Sequence, residues 1–162
     1  MRVLGLDVGQ RRTGVAISDP SGMLARPLTV LHGQALPQVV ALVTRLIREE
    51  EGLATIVVGL PFRLDGSANE HTARVLAFVA DLRAQVSVPI ALCGERLTSI
   101  EAESLLARRE KDWRRRKARL DAVAAAVILQ EYLDHENRDQ EPGIGNQEPG
   151  NRDREPGIGN ED

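Results

Sequence analysis

Aromatic side chains are nearly missing from this chain of 162 residues: Phe62, Phe78, Trp113 and Tyr132 are all there are. Proteins that hold single strands without sequence preference stack bases on aromatic platforms, so a module of that kind is not expected. Cysteine is scarcer still. Cys93 stands alone, which rules out an intrachain disulfide and a cysteine-based zinc knuckle. The three histidines, His32, His71 and His135, lie far apart and lack metal-ligand spacing. Long apolar runs are also missing, since the stretches near Ile56 and Ala122 fall well short of the roughly 20 residues of a membrane span. The opening MRVLGLDVGQRR holds an acid within its apolar stretch and no small-residue cleavage segment, so it does not read as a signal peptide. A reducing cytoplasm and no membrane partner are the expectation.

The formal net charge of -3 conceals an asymmetry. Residues 136–162 carry eight acids against three arginines, which leaves 18 basic against 16 acidic groups in residues 1–135. The acidic segment is a repeat, in which NRDQEPGIGN from Asn137 returns as NRDREPGIGN from Asn151. Ile144 and Ile158 are its only large apolar residues, too few to offset the entropy of ordering it. The chain therefore divides into one domain over 1–135 and a disordered, repetitive acidic tail over 136–162.

Within the domain, RVLGLDVG, TGVAISD and Leu24 to Leu31 are separated by short turn segments and predict three consecutive antiparallel strands. A helix follows from Pro37 to Gly52 on the spacing of Val39, Val40, Leu42, Val43, Leu46 and Ile47. TIVVGLP then reads as a strand covered on both faces. Ser67 and Glu70 have capping-box spacing ahead of a second helix through Leu82. Pro89 to Cys93 predicts another buried strand, Thr98 with Glu101 a helix to about Ala107, and DAVAAAVILQEYL a last helix that Asp121 begins. The fold class is α/β, a mixed five-stranded sheet with helices on both faces.

Three acids stand where this pattern does not call for them. Asp7 interrupts an apolar strand, where a carboxylate is heavily desolvated unless a cation or several donors meet it. Glu95 closes the fifth strand, at the kind of strand end where open α/β sheets place ligand-binding groups. Asp121 precedes eight consecutive apolar residues, Ala122 to Leu129, and an acid on such a helix needs a partner. The plainer alternatives are an Asx turn for Asp7, a surface pair with Arg96 for Glu95, and a helix cap for Asp121. Together, three such carboxylates suit Mg²⁺ or Mn²⁺, and two such ions about 4 Å apart serve phosphodiester hydrolysis. A basic linker leads into Asp121. Arg108, Arg109, Lys111, Arg114, Arg115, Arg116, Lys117 and Arg119 face only Glu110 and Asp112, a density suited to a phosphate backbone. Arg11 and Arg12, in the first hairpin, add to the same field.

The segments LGLDVGQRRTGVAISD, IVVGLPFRLDGS, GERLTS and RLDAVAAAVILQEYL, in this order and spacing, resemble the YqgF-type Holliday junction resolvases, also described as pre-16S rRNA nucleases. The resemblance implies an RNase H-like fold, nuclease activity and a role in ribosome maturation, with catalytic, metal-holding acids at Asp7, Glu95 and Asp121. It also implies nucleic-acid contacts from Arg11, Arg12, Arg96, Arg114, Arg115, Arg116, Lys117 and Arg119. The family pattern usually reads Asp-Glu-Arg where this chain has Gly94-Glu95-Arg96, so an accessory acid is missing. Structured RNA, specifically the 5′ end of pre-16S rRNA, is the first substrate reading and branched DNA the second. A non-catalytic nucleic-acid-binding factor is the reading from another class. A sugar-kinase-like nucleotide domain is disfavoured, because such enzymes need two domains, and there is no Walker-type loop. A monomer and a homodimer both remain open.

Overall fold

The computed structural model describes residues 1–61, 69–95 and 113–140, with backbone alone for 95, 113–119 and 140. In chain order the elements are β1 (Arg2–Val8), β2 (Arg12–Ser18), β3 (Ala25–His32), α1 (Ala35–Arg48), β4 (Leu53–Pro61), α2 (Glu70–Arg83), β5 (Ile90–Glu95) and α3 (Trp113–Gln140). The strands form one sheet in the order β3-β2-β1-β4-β5. The pairs β3–β2 and β2–β1 are antiparallel, whereas β1–β4 and β4–β5 are parallel. This is the mixed five-stranded sheet that the sequence pattern predicts.

Side chains alternate along a strand, and both faces of β1 are covered. Leu4, Leu6 and Val8 join Val15, Ile17, Ile56 and Val58 in packing against Val39, Val43 and Leu46 of α1 and Val75, Val79 and Leu82 of α2. On the other face Val3, Ala16 and Val57 pack against Ala125, Ile128, Leu129 and Leu133 of α3. Glycine brings α3 close to this second face. A Cβ on Gly5 would lie 2.8 Å from Leu129 Cβ, and one on Gly14 would lie 1.8 Å from the Asp121 carbonyl oxygen.

Several boundaries differ from those expected. α2 is capped by Asn69, whose side chain accepts from the Thr72 N–H at 2.9 Å while Thr72 Oγ1 accepts from the Asn69 N–H at 3.1 Å. The reciprocal pair is therefore Asn69 and Thr72. Ser67 lies outside the described residues, and Glu70 is the first helical residue instead of the third. Thr72 Oγ1 also donates to the Pro61 carbonyl, which ties the start of α2 to the end of β4. β5 is less covered than expected: as an edge strand it leaves Leu92 40% exposed. The helix predicted from Thr98 to Ala107 lies outside the described residues. α3 starts at Trp113, so the second half of the expected basic linker is helical, and it runs through Gln140, past the boundary placed after residue 135. Tail residues 141–162 are not among those described.

The β2–β3 connection is organised by Asp19. Its Oδ1 accepts from the Leu24 N–H at 2.8 Å and the Met23 N–H at 2.9 Å, and its Oδ2 accepts from the Ser21 hydroxyl. These bonds, led by the Leu24 N–H, hold the carboxyl well below the usual carboxylate range. A depressed folded-state pKa means that the contribution of the turn is complete above the unfolded value of about 3.9 and is lost as pH falls towards the lower folded value. NMR titration of the Asp19 carboxyl is expected to give a midpoint clearly under that of an unperturbed aspartate. A midpoint near about 3.9 would refute the cap.

Candidate active site

The β1–β2 hairpin sets the geometry. The Gly9 N–H donates to the Arg12 carbonyl at 2.9 Å, and the register that follows pairs Asp7 with Gly14 and Leu6 with Val15. Asp7 and Gly14 thus project to the same side of the sheet as Gly5 and Ala16, the side that α3 covers. Because Gly14 has no side chain, the Asp121 backbone seats on it directly. The Asp121 backbone, more than a hundred residues further along the chain, thus lies against the strand partner of Asp7. Asp7 and Asp121 are both half-buried.

Asp121 does not begin its helix. α3 is already under way at Trp113, so the capping explanation for this acid falls away, and it sits mid-helix at the edge of the buried row that continues through Ala125 and Ile128. Arg12 reaches it from β2, with Nε 3.1 Å from Asp121 Oδ2 and both side chains largely screened from solvent. An ion pair this sheltered fixes the orientation of the carboxylate. Arg12, expected to touch nucleic acid, is thus committed at least in part to Asp121, while Arg11 is exposed at the tip of the hairpin.

Glu95 is described by its backbone. It pairs with Pro61 at the end of β5, and strand alternation places it on the face of Ala91 and Cys93, which is the α3 face. It lies further towards the strand ends than Asp7, because the row through Gly5 is Gly5–Val57–Ala91. Gly94 takes the opposite face, where an added Cβ would meet nothing within 4 Å among the described residues. The acid that the family pattern places there would not project onto the face shared by Asp7 and Asp121. Among the described residues no three acids, histidines or cysteines form a metal-binding group. Arg96 lies outside the described residues, and for Arg114, Arg115, Arg116, Lys117 and Arg119 only their place on α3 is described.

Two features of this site escape a reading of the sequence: the Gly14 seat and the Arg12–Asp121 pair. The sequence signal for the first is a glycine in a strand otherwise made of side chains that pack, a mark of close backbone approach.

The sequence profile of RuvX, described as Holliday junction resolvase, matches residues 1–135. The chain belongs to the RuvX family. Its relatives include proteins named "Putative pre-16S rRNA nuclease" from Roseiflexus sp. strain RS-1 and Pelotomaculum thermopropionicum. The first is 43% identical over 135 residues, covering 82% of this chain and 94% of the relative. The second is 38% identical over 151 residues, covering 93% and 97%. Among solved structures, Thermus thermophilus RuvC in complex with a Holliday junction substrate is similar at 17% identity and a TM-score of 0.49, covering 85% of this chain and 96% of that one. The family description is that of a nuclease, in agreement with the expectation drawn from the motifs. In this RuvX chain no described helix is long and apolar enough to cross a membrane.

Proposed function

We propose that this chain is a divalent-metal-dependent nuclease that processes the 5′ end of pre-16S rRNA in the cytoplasm. The observation that supports the reading is the seating of the Asp121 backbone on Gly14, the strand partner of Asp7, which brings two half-buried acidic residues to the same face at the end of the central strand. Half-buried carboxylates are costly unless cations meet them; Arg12 serves Asp121 in this way, and a divalent ion would serve both acids. The names of the relatives supply the substrate.

The donor set fits Mg²⁺ or Mn²⁺, since carboxylate oxygens are the hard ligands those ions take. Asp7 and Asp121 would hold the metal, with Glu95 as third ligand at the end of β5. Bound there, one ion or a pair would lower the pKa of water and stabilise the charge on phosphate and leaving oxygen. The chain's own part is positional. β1 fixes Asp7, α3 and Arg12 fix Asp121, and the exposed Arg11 and the basic first turns of α3 attract the phosphate backbone.

The test is cleavage of a pre-16S rRNA fragment by the full chain with Mn²⁺ or Mg²⁺, in competition with a four-way DNA junction. Metal-dependent cleavage of the RNA that EDTA abolishes is expected. Preferential cutting of the junction would transfer the reading to the resolvase activity in the family description. Binding that survives EDTA, with no cleavage of either substrate, would leave a non-catalytic nucleic-acid-binding factor.

A further inference from the structure

On the sheet face opposite Asp7, the same edge opens into a cavity of about 550 Å³. Val8, Gly9 and Gln10, the residues immediately after Asp7, form one wall of it. The first turn of α1 forms a second wall and α2 a third. A volume of this size is in the range that holds a small organic ligand. The lining has a definite polarity: Leu36 and Phe78 are apolar, Arg74 supplies a cation at the β1 end, and Asp81 supplies an anion at the far end of α2's contribution.

Arg74 is held in place without being neutralised. With the Gln10 amide oxygen turned towards α2, it accepts from Arg74 Nη1 at 2.8 Å and Nη2 at 3.0 Å. Gln10 carries no charge, and among the described residues no carboxylate lies within ion-pair distance of Arg74. Burial and the neighbouring Arg74 both push the His71 imidazole towards its neutral form, so the charges on the lining are Arg74 at the β1 end and Asp81 two turns further along α2. The start of α1 adds to the pull of Arg74 on an anion. Gln34 gives no side-chain cap, and Gln38 Nε2 donates to the His32 and Gln34 carbonyls, so neither side chain satisfies the helix N–H groups.

We infer that this cavity is a subsite for an unpaired nucleotide of the RNA strand flanking the one cut at Asp7, with its phosphate on Arg74 and its base against Phe78 and Leu36. The inference rests on the nucleic-acid reading of the neighbouring site. A strand leaving Asp7 over the β1–β2 hairpin passes Gly9 and Gln10 and reaches Arg74 next. Recognition of RNA outside duplexes works through splayed bases on apolar or aromatic surfaces combined with cationic contacts to phosphate. In a chain with so few aromatic residues, Phe78 is the one that lines this cavity.

The experiment measures binding, so that it does not depend on turnover. Full-length Asp7→Asn protein is titrated by fluorescence anisotropy with a labelled RNA hairpin that is either flush or extended by a few unpaired nucleotides at its 5′ or 3′ end. One extension is expected to tighten binding. Arg74→Ala, a change at an exposed position, is expected to remove about tenfold of that affinity and to lower the salt slope by about one, as loss of one phosphate contact does. Ala77→Trp, which fills the cavity from α2, is expected to remove the gain without changing the slope. Neither variant should weaken binding of the flush hairpin. No gain from either extension, or equal losses on flush and extended hairpins, would overturn the subsite. Absence of cleavage by the wild type, with extension-dependent binding intact, counts against the nuclease reading alone.

Discussion

Asp7→Asn is expected to lower metal-dependent cleavage by about a hundred- to a thousandfold, the scale seen when one preorganised electrostatic group is lost from an active site. The same change should leave the thermal midpoint unaltered or raise it. Asp7 is half-buried on the face that the Asp121 backbone also approaches over Gly14, and a second negative charge near the first is a cost to the fold in the absence of metal. Asparagine keeps the shape and removes the charge, which separates the cost to chemistry from the benefit to folding. Cleavage rates and a melting curve in EDTA on the same preparation decide the matter. If rates are unchanged, Asp7 is not a metal ligand. If activity and stability fall together, the carboxylate serves the hairpin instead.

Gly14→Ala is expected to be the most damaging of the alanine substitutions at the described glycines. Its Cβ would lie 1.8 Å from the Asp121 carbonyl oxygen and 2.3 Å from the carbonyl carbon. These are backbone atoms of a long helix, not the end of a side chain that can turn aside, so α3 must lift or β2 must bend. Overpacking of this kind costs about 1–3 kcal/mol and sometimes more. Any lift also carries Asp121 away from Asp7, and a displacement of about 1 Å is enough to cost about a hundredfold in rate. Gly94→Ala is the control, because among the described residues a Cβ there meets nothing within 4 Å, and stability should stay within about 0.5 kcal/mol of the parent. Chemical denaturation with a cleavage assay reads both effects. A Gly14→Ala protein as stable and active as the Gly94→Ala protein would show that α3 does not rest on β2 as described.

Much of this architecture is legible in the sequence because its signals are local. The alternation in RVLGLDV and RTGVAIS, the helical spacing after Pro37 and the short β-branched run before Pro61 each depend on a few neighbouring residues, and each corresponds to an observed element. The start of α3 is not legible in the same way. A dense run of arginine and lysine suggests a solvated linker, yet both are good helix formers and nothing from Trp113 to Arg119 breaks a helix. The cap of α2 is misread from spacing: Ser67 and Glu70 stand three apart as a capping box requires, yet Asn69 and Thr72 make the reciprocal bonds. The coverage of β5 depends on its place at the edge of the sheet, which its own residues do not encode. At the site, Asp7 can be recognised by its apolar context. The Arg12–Asp121 pair and the Gly14 seat join positions more than a hundred residues apart, and no periodicity carries that information.

The two layers that flank the sheet are unequal. Among the described residues, fifteen buried apolar side chains form the layer shared with α1 and α2, and seven form the layer shared with α3. The acid pair straddles the thinner one, with Asp7 belonging to the sheet and Asp121 to its cover. That cover lies close along β1, β2 and β3, admitted by the bare backbone of Gly5 and Gly14, so the spacing of the two acids is set by how near one helix can approach the sheet and not by either acid's own strand or turn.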